Sequence, residues 1–387
     1  MHFDTLLSRT FTAFVRSEKT AGFLLIACTA LSLALANSAV GEAYRHLWHA
    51  PLGGLSVERW INDGLMAIFF LLIGLELERE LYNGELSDLR SALLPGLAAA
   101  GGIAAPALIH FALNRGTTTQ AGLGIPMATD IAFALGVLAL LGQRVPASLK
   151  VFLAALAVMD DLGAIVVIAV FYTADVALAY LAAAFLVWAG LLLLNRLARV
   201  QALWPYLLGG AVMWLLMFKS GVHATIAGVL LAFAIPYSSR CDDTSSPSHR
   251  LEHALHQPVA WLILPLFALA NTGIALGGDW LHGLTSPNAL GIILGLCIGK
   301  PAGIGLACGL AVASGLCPLP AGLAWRHLAG AALLGGIGFT MSIFIANLAF
   351  PAAPAVVSGA KLAVLCASLI AGMAGYGWLR LSAGRQR

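Results

Sequence analysis

About a dozen stretches of some 20 mostly apolar residues run along this chain, each long enough to cross the hydrocarbon core of a bilayer as a helix. They lie at roughly 20–37, 59–81, 92–113, 121–142, 149–173, 177–198, 203–218, 221–237, 254–276, 288–312, 325–350 and 356–382. Short loops and two tails take up the rest, which leaves no room for a soluble domain. In lipid every backbone N–H and C=O must be satisfied internally, so only helices or closed barrels can span. The runs lack the alternating pattern of about ten residues that a barrel strand needs. The expected fold is therefore all-α: a polytopic membrane protein with about 12 transmembrane helices, forming one transporter-like domain over 1–387.

Composition agrees. Of 387 residues, 60% are apolar and 10% are charged, and mean hydropathy is +0.90. Soluble domains carry roughly a quarter charged residues. An ordinary cytosolic enzyme, a disordered chain and a secreted disulfide scaffold are excluded. The net charge of +3 is too mild for a nucleic-acid partner. The six cysteines show no metal spacing, and Cys28, Cys241, Cys297, Cys308, Cys317 and Cys366 read as small packing residues. No cofactor is expected.

The loop charges orient the chain. If both termini are cytoplasmic, Arg45, Arg59, Arg115 and Lys219 fall outside, Lys300 and Lys361 fall within spans, and the rest of the 21 basic residues lie inside. This is the positive-inside bias. Arg9, Arg16 and Lys19 precede an apolar run ending Ala34-Leu35-Ala36, which also resembles a signal peptide with its cleavage site. The first helix is expected to be retained.

Ionisable residues inside the spans carry the functional information, because a charge at mid-membrane costs at least about 2.5–3.5 kcal/mol on insertion scales. They are Asp130, Asp160, Asp161 and Lys300, with Asp63 near the start of the second span and His223 near the start of the eighth. A purely structural ion pair is the plain alternative, but one lysine does not neutralise three aspartates. Asp63, close to an interface, reads equally as structural. Lys361 reads as a snorkelling residue. Adjacent helical residues point about 100° apart, so Asp160 and Asp161 face different neighbours, and Lys300 is placed to meet one of them.

Gly122, Gly124 and Pro126 precede Asp130, and Gly335, Gly336 and Gly338 interrupt the eleventh span. Such glycines serve close packing in many helices. Beside an intramembrane aspartate, unwinding is the favoured reading. Spans three to five and ten to twelve, about 92–173 and 288–382, both carry the interruption in their middle helix. Their odd offset makes them inverted-topology repeats, with interface-type helices before and between them. Interrupted helices in matching halves point to a transporter ion site.

The stretches 60–76 (WINDGLMAIFFLLIGLE), 128–136 (ATDIAFALG), 159–163 (MDDLG), 221–225 (GVHAT), 299–301 (GKP) and 338–342 (GFTMS) closely resemble the NhaA-type sodium/proton antiporters of bacterial inner membranes. The likeness runs from about 11 to 380. This family is itself a standing example of inverted repeats, so that feature is inherited from it. The resemblance implies two crossing, partly unwound helices (spans four and eleven) and electrogenic, pH-regulated exchange of sodium or lithium for protons. By matching motif, Asp161 resembles the central ion and proton carrier, with Asp160 as its partner tied to Lys300. Together the two carboxylates would hold the transient sodium ion. Asp130 and Thr129 resemble the pair at the helix crossing, and Asp63 a residue of the cation pathway. Glu76, Glu80, Glu252, His253 and His256 resemble the pH-sensing region, and His223 a residue linked to pH response. The loop 38–58 resembles an extracellular hairpin used in homodimer contact. The expected partners are sodium, lithium, protons and membrane lipid.

Three other functions compete. An intramembrane aspartyl protease needs facing aspartates, but its Gly-x-Gly-Asp signature is missing. A channel needs a pore lined by repeated groups. A sodium-coupled symporter for an organic solute needs an aromatic or arginine cluster in the spans, and none appears.

Overall fold

The computed structural model describes residues 3–84, 86–173, 176–238, 246–277 and 280–383, with side chains from residue 20 onward except at 89–91, 143, 282 and 383. Cys241, Arg240, Arg385 and Arg387 lie outside the described residues. So do the side chains of Arg9, Arg16, Lys19 and Arg90.

Helices dominate, as backbone satisfaction in lipid requires. Among the described residues, eight are long and apolar enough to span a membrane, or up to ten if each of two interrupted pairs counts as one span. The two further predicted spans form shorter helices. Trp204–Ser220 has 17 residues and stops at Gly221, whose φ of 81° lies in the left-handed region that favours glycine. Ile226–Ala232 has only 7 residues between turns. The sole strands among the described residues are Pro51–Leu52 and Leu55–Ser56, an antiparallel hairpin turned by Gly53 and Gly54, both at positive φ.

The chain forms two compact units. One takes 1–39, 90–164 and 271–387, and so gathers most of both three-span groups. Helices Leu89–Asn114 and Lys300–Ala313 touch there backbone to backbone. A Cβ on Gly101 would overlap the Gly303 carbonyl oxygen, and a Cβ on Gly303 the Gly101 carbonyl oxygen. Small residues permit this approach. Gly303→Val should therefore force the helices apart and destabilise by about 1–3 kcal/mol or more. A lowered melting temperature of the detergent-solubilised protein checks this.

A buried polar network sits in the same unit. His110 Nε2 donates to Asn288 Oδ1 at 3.0 Å, Asn114 Nδ2 donates to the His110 and Pro287 carbonyls, and Thr119 Oγ1 donates to Asn114 Oδ1 at 2.7 Å. It ties together the ends of helices Leu89–Asn114 and Pro287–Leu294.

The other unit takes 40–89 and 165–270. Its core packs Leu71 and Leu75 against Tyr206, Met213, Met217 and Leu231. Trp188 Nε1 donates to the Leu230 carbonyl at 2.7 Å.

Candidate functional site

The interruption predicted before Asp130 is present. A 3₁₀ segment, Gln120–Met127, gives way to extended backbone at Ala128, and a regular helix restarts at Ile131. Trp325–Gly335 and Phe339–Ala349 likewise form a pair bent by 42° across Gly336–Gly338. The two breaks cross. Asp130 N–H donates to the Ile337 carbonyl at 2.7 Å, and Ser342 Oγ donates to the Ile125 carbonyl at 2.6 Å.

Every broken helix exposes N–H groups with partial positive charge and carbonyls with partial negative charge. Asp130 answers the first kind twice. Its Oδ1 accepts the Phe133 N–H at 2.9 Å and so caps helix Ile131–Leu140. Its Oδ2 accepts both the N–H (3.1 Å) and the hydroxyl (2.6 Å) of Thr340, in the first turn of Phe339–Ala349. One carboxylate thus closes two helix N-termini. The carbonyl ends are met by a cation and a hydroxyl. Lys300 Nζ donates to the Met127 carbonyl, and Thr129 Oγ1 lies 2.9 Å from the Gly335 carbonyl.

Asp160 connects this crossing to the helix Ala147–Phe171. Its Oδ2 lies 2.9 Å from Lys300 Nζ and 2.6 Å from Thr129 Oγ1. Its Oδ1 is buried without a hydrogen-bond partner among the described residues. Asp160 and Lys300 are fully buried, and Asp161, one residue on, is 1% exposed. Two carboxylates, a hydroxyl and freed backbone carbonyls are the oxygen donors that suit a small hard cation. No group of three or more His, Cys, Asp or Glu able to hold a metal occurs among the described residues.

In the other unit, Arg79 bridges two acids of the set that resembles a pH-sensing region. Its Nη1 lies 3.1 Å from Glu252 Oε1 and its Nη2 lies 3.2 Å from Glu80 Oε1. His256 Nδ1 stands 4.0 Å from Glu76 Oε1, while His253 is exposed. Buried Glu78 accepts from Ser248 Oγ at 3.1 Å. His223 Nε2 donates to the Tyr172 carbonyl at 2.8 Å. Asp63 pairs with Arg59 at 3.3 Å within a π-helical turn, and its carbonyl accepts from Trp214 Nε1.

Several of these partners are not singled out by the sequence. Arg79 lies between the two glutamates on one helix, and Thr340 is a polar residue at a glycine-led helix restart, so both left a signal. The Met127 carbonyl and the Asn288 partner of His110 left none. Lys361 is a correction. It is buried rather than snorkelling, because its amine reaches inward to Asn271 Oδ1 at 3.3 Å.

Comparison with known proteins decides the family. The sequence pattern of Na+/H+ antiporter 1 matches residues 12–379. The chain belongs to that family. Relatives are similar over nearly their whole length. A Na(+)/H(+) antiporter NhaA of Dechloromonas aromatica is 66% identical over 376 residues, 97% of each chain. The Na(+)/H(+) antiporter NhaA 1 of Flavobacterium johnsoniae is 57% identical, again over 97% of each. The protein of that name from Pseudomonas syringae is 50% identical over 95% of this chain and 94% of its own. Membership of this antiporter family accords with a multi-pass all-α membrane protein built around two interrupted, crossing helices.

Proposed function

We propose that this chain is a secondary transporter, not an enzyme, that exchanges sodium or lithium ions for protons across the bacterial inner membrane. The observation that carries the reading is the pair of buried carboxylates, Asp160 and Asp161, beside a helix crossing whose exposed ends are already neutralised. Because Asp130 and Lys300 balance the helix termini, the Asp160–Asp161 pair is left to change its charge with each cycle. A carboxylate held away from water takes up either a proton or a cation. Competition between the two is sufficient for exchange if the site opens to one side at a time. Asp161 is the central carrier. Asp160, Thr129 and freed carbonyls complete the oxygen set, and Lys300 holds Asp160 when the cation is absent. Movement of more protons than sodium ions per cycle would make the exchange electrogenic. Both termini face the cytoplasm, and the units about 92–173 and 288–382 are inverted repeats. The loop 38–58, which carries the strand pair 51–56, is the homodimer contact.

The test is sodium-driven dequenching of a pH dye in everted vesicles, repeated with lithium and with a potential-sensitive dye. Cation-driven proton movement with a potential change supports the reading. Conduction without proton counterflow overturns it.

Regulation by pH is assigned to Glu76, Glu80, Glu252, His253 and His256, with His223 modulating it and Asp63 on the cation route. A histidine is charged below its ordinary value of about 6.5 and neutral above it. A charged His256 and an ionised Glu76, 4.0 Å apart, would attract, and neutralising the histidine as pH rises would release the cytoplasmic helix ends. Replacing His253 and His256 with glutamine removes that attraction. The double variant should remain active, with its activity profile shifted toward lower pH at saturating sodium. An unchanged profile would place pH dependence in proton–sodium competition at Asp161 alone.

A further inference from the structure

An apolar cavity of about 290 Å³ lies within the second unit, lined by residues such as Trp60, Ala67, Leu71, Ala211, Trp214 and Leu231. None of the ion-site or pH-response residues lines it. Its walls come from helix Val57–Asn83, helix Trp204–Ser220 and helix Ile226–Ala232. Gly64, Gly210 and Gly228 also line it, and Gly210 and Gly228 let their helices close on Leu231 and Ala67 at its walls. Leu208, Val212 and Leu215 on the adjoining turns are exposed. On a membrane-spanning helix, such leucines face hydrocarbon.

One end of the slot is polar and aromatic. Trp60 stacks on Trp214 with ring centroids 6.0 Å apart, and Trp214 stacks on Phe218 at 5.7 Å. The Arg59 guanidinium sits 5.2 Å from the Phe218 ring centroid, and its side chain is 60% exposed. Tryptophans mark the level of lipid headgroups. A guanidinium has five N–H donors in a fork that matches phosphate, and the ion pair with Asp63 engages Arg59 through Nε.

We infer that this slot is a phospholipid site: one acyl chain fills the apolar cavity and the headgroup phosphate rests on Arg59. The chemistry is divided along the slot as it is along a phospholipid, apolar from Leu71 to Ala211 and cationic at Arg59. A second copy of this chain fits less well. A two-fold contact sets the same patch against itself, and a slot facing a slot leaves both unfilled. The inference is independent of the exchange reaction.

The test uses the full chain purified in mild detergent and titrated with dioleoylphosphatidylglycerol in mixed micelles. Native mass spectrometry counts bound phospholipid, and thermal unfolding reports its effect. Wild type should retain one phospholipid and melt at higher temperature with it. Ala211→Phe places a ring in the slot and should lose that phospholipid. Arg59→Gln keeps the slot and should bind about fivefold more weakly, the effect of one basic side chain at a lipid surface. Lipid-free melting equal to wild type shows that Ala211→Phe is folded; if it is not, Arg59→Gln decides alone. Wild-type retention in either folded variant overturns the site and leaves only annular lipid. A change in protomer number with Ala211→Phe, without lipid loss, makes the slot a contact between copies and also overturns it.

Discussion

Asp161→Asn should leave the protein folded and abolish sodium-driven proton movement. Asparagine matches aspartate in shape and still accepts hydrogen bonds, but it neither takes up and releases a proton nor carries a negative charge for a cation. Asp161 is 1% exposed and lies beside an Asp160 already engaged by Lys300 and Thr129. Replacing a charged buried group with its neutral isostere removes a desolvation cost, so melting temperature should not fall. Everted vesicles carrying the variant should give no sodium-dependent dequenching between about pH 6 and 9, a range that brackets the histidine transition. Dequenching at the wild-type level would move the carrier role to another carboxylate, with Asp160 the first candidate.

Lys300→Ala should have the largest effect on stability. Lys300 is fully buried and is bound both to Asp160 and to the Met127 carbonyl. Removing it leaves Asp160 charged and uncompensated, at a cost on the order of 3–5 kcal/mol. It also leaves the Met127 carbonyl at the end of a 3₁₀ segment without that donor. Asp160→Asn combined with Lys300→Gln removes both charges and should recover part of the loss. Melting temperatures of the two single variants and the double variant form the cycle that measures this coupling. Additive losses would mean that the 2.9 Å contact contributes no pairing energy.

The pairing shows where local reasoning stops. The sequence alone establishes a membrane protein of about a dozen helices, because the bilayer imposes its rule on each segment separately: enough apolar length, with few charges. The same rule singles out Asp130, Asp160, Asp161 and Lys300, since each is costly where it stands. It also predicts the two interruptions, because glycine and proline weaken a helix wherever they occur. Helical geometry establishes that Asp160 and Asp161 diverge, but not which of them meets Lys300. That choice depends on how helix Lys300–Ala313 is rotated and how closely it lies on its neighbours. Contacts such as that between Gly101 and Gly303 set the approach, and these residues are far apart in the chain. The double cap by Asp130 likewise needs Thr340, which is 210 residues away, and His110 needs Asn288, which is 178 away. Lys361 departs from its expected outward path for the same reason: its long stem suits either an outward or an inward path, and only the position of Asn271 selects the inward one. Hydropathy places a residue at a depth in the membrane, whereas its partner is set by packing between helices, and that exists only in the folded chain.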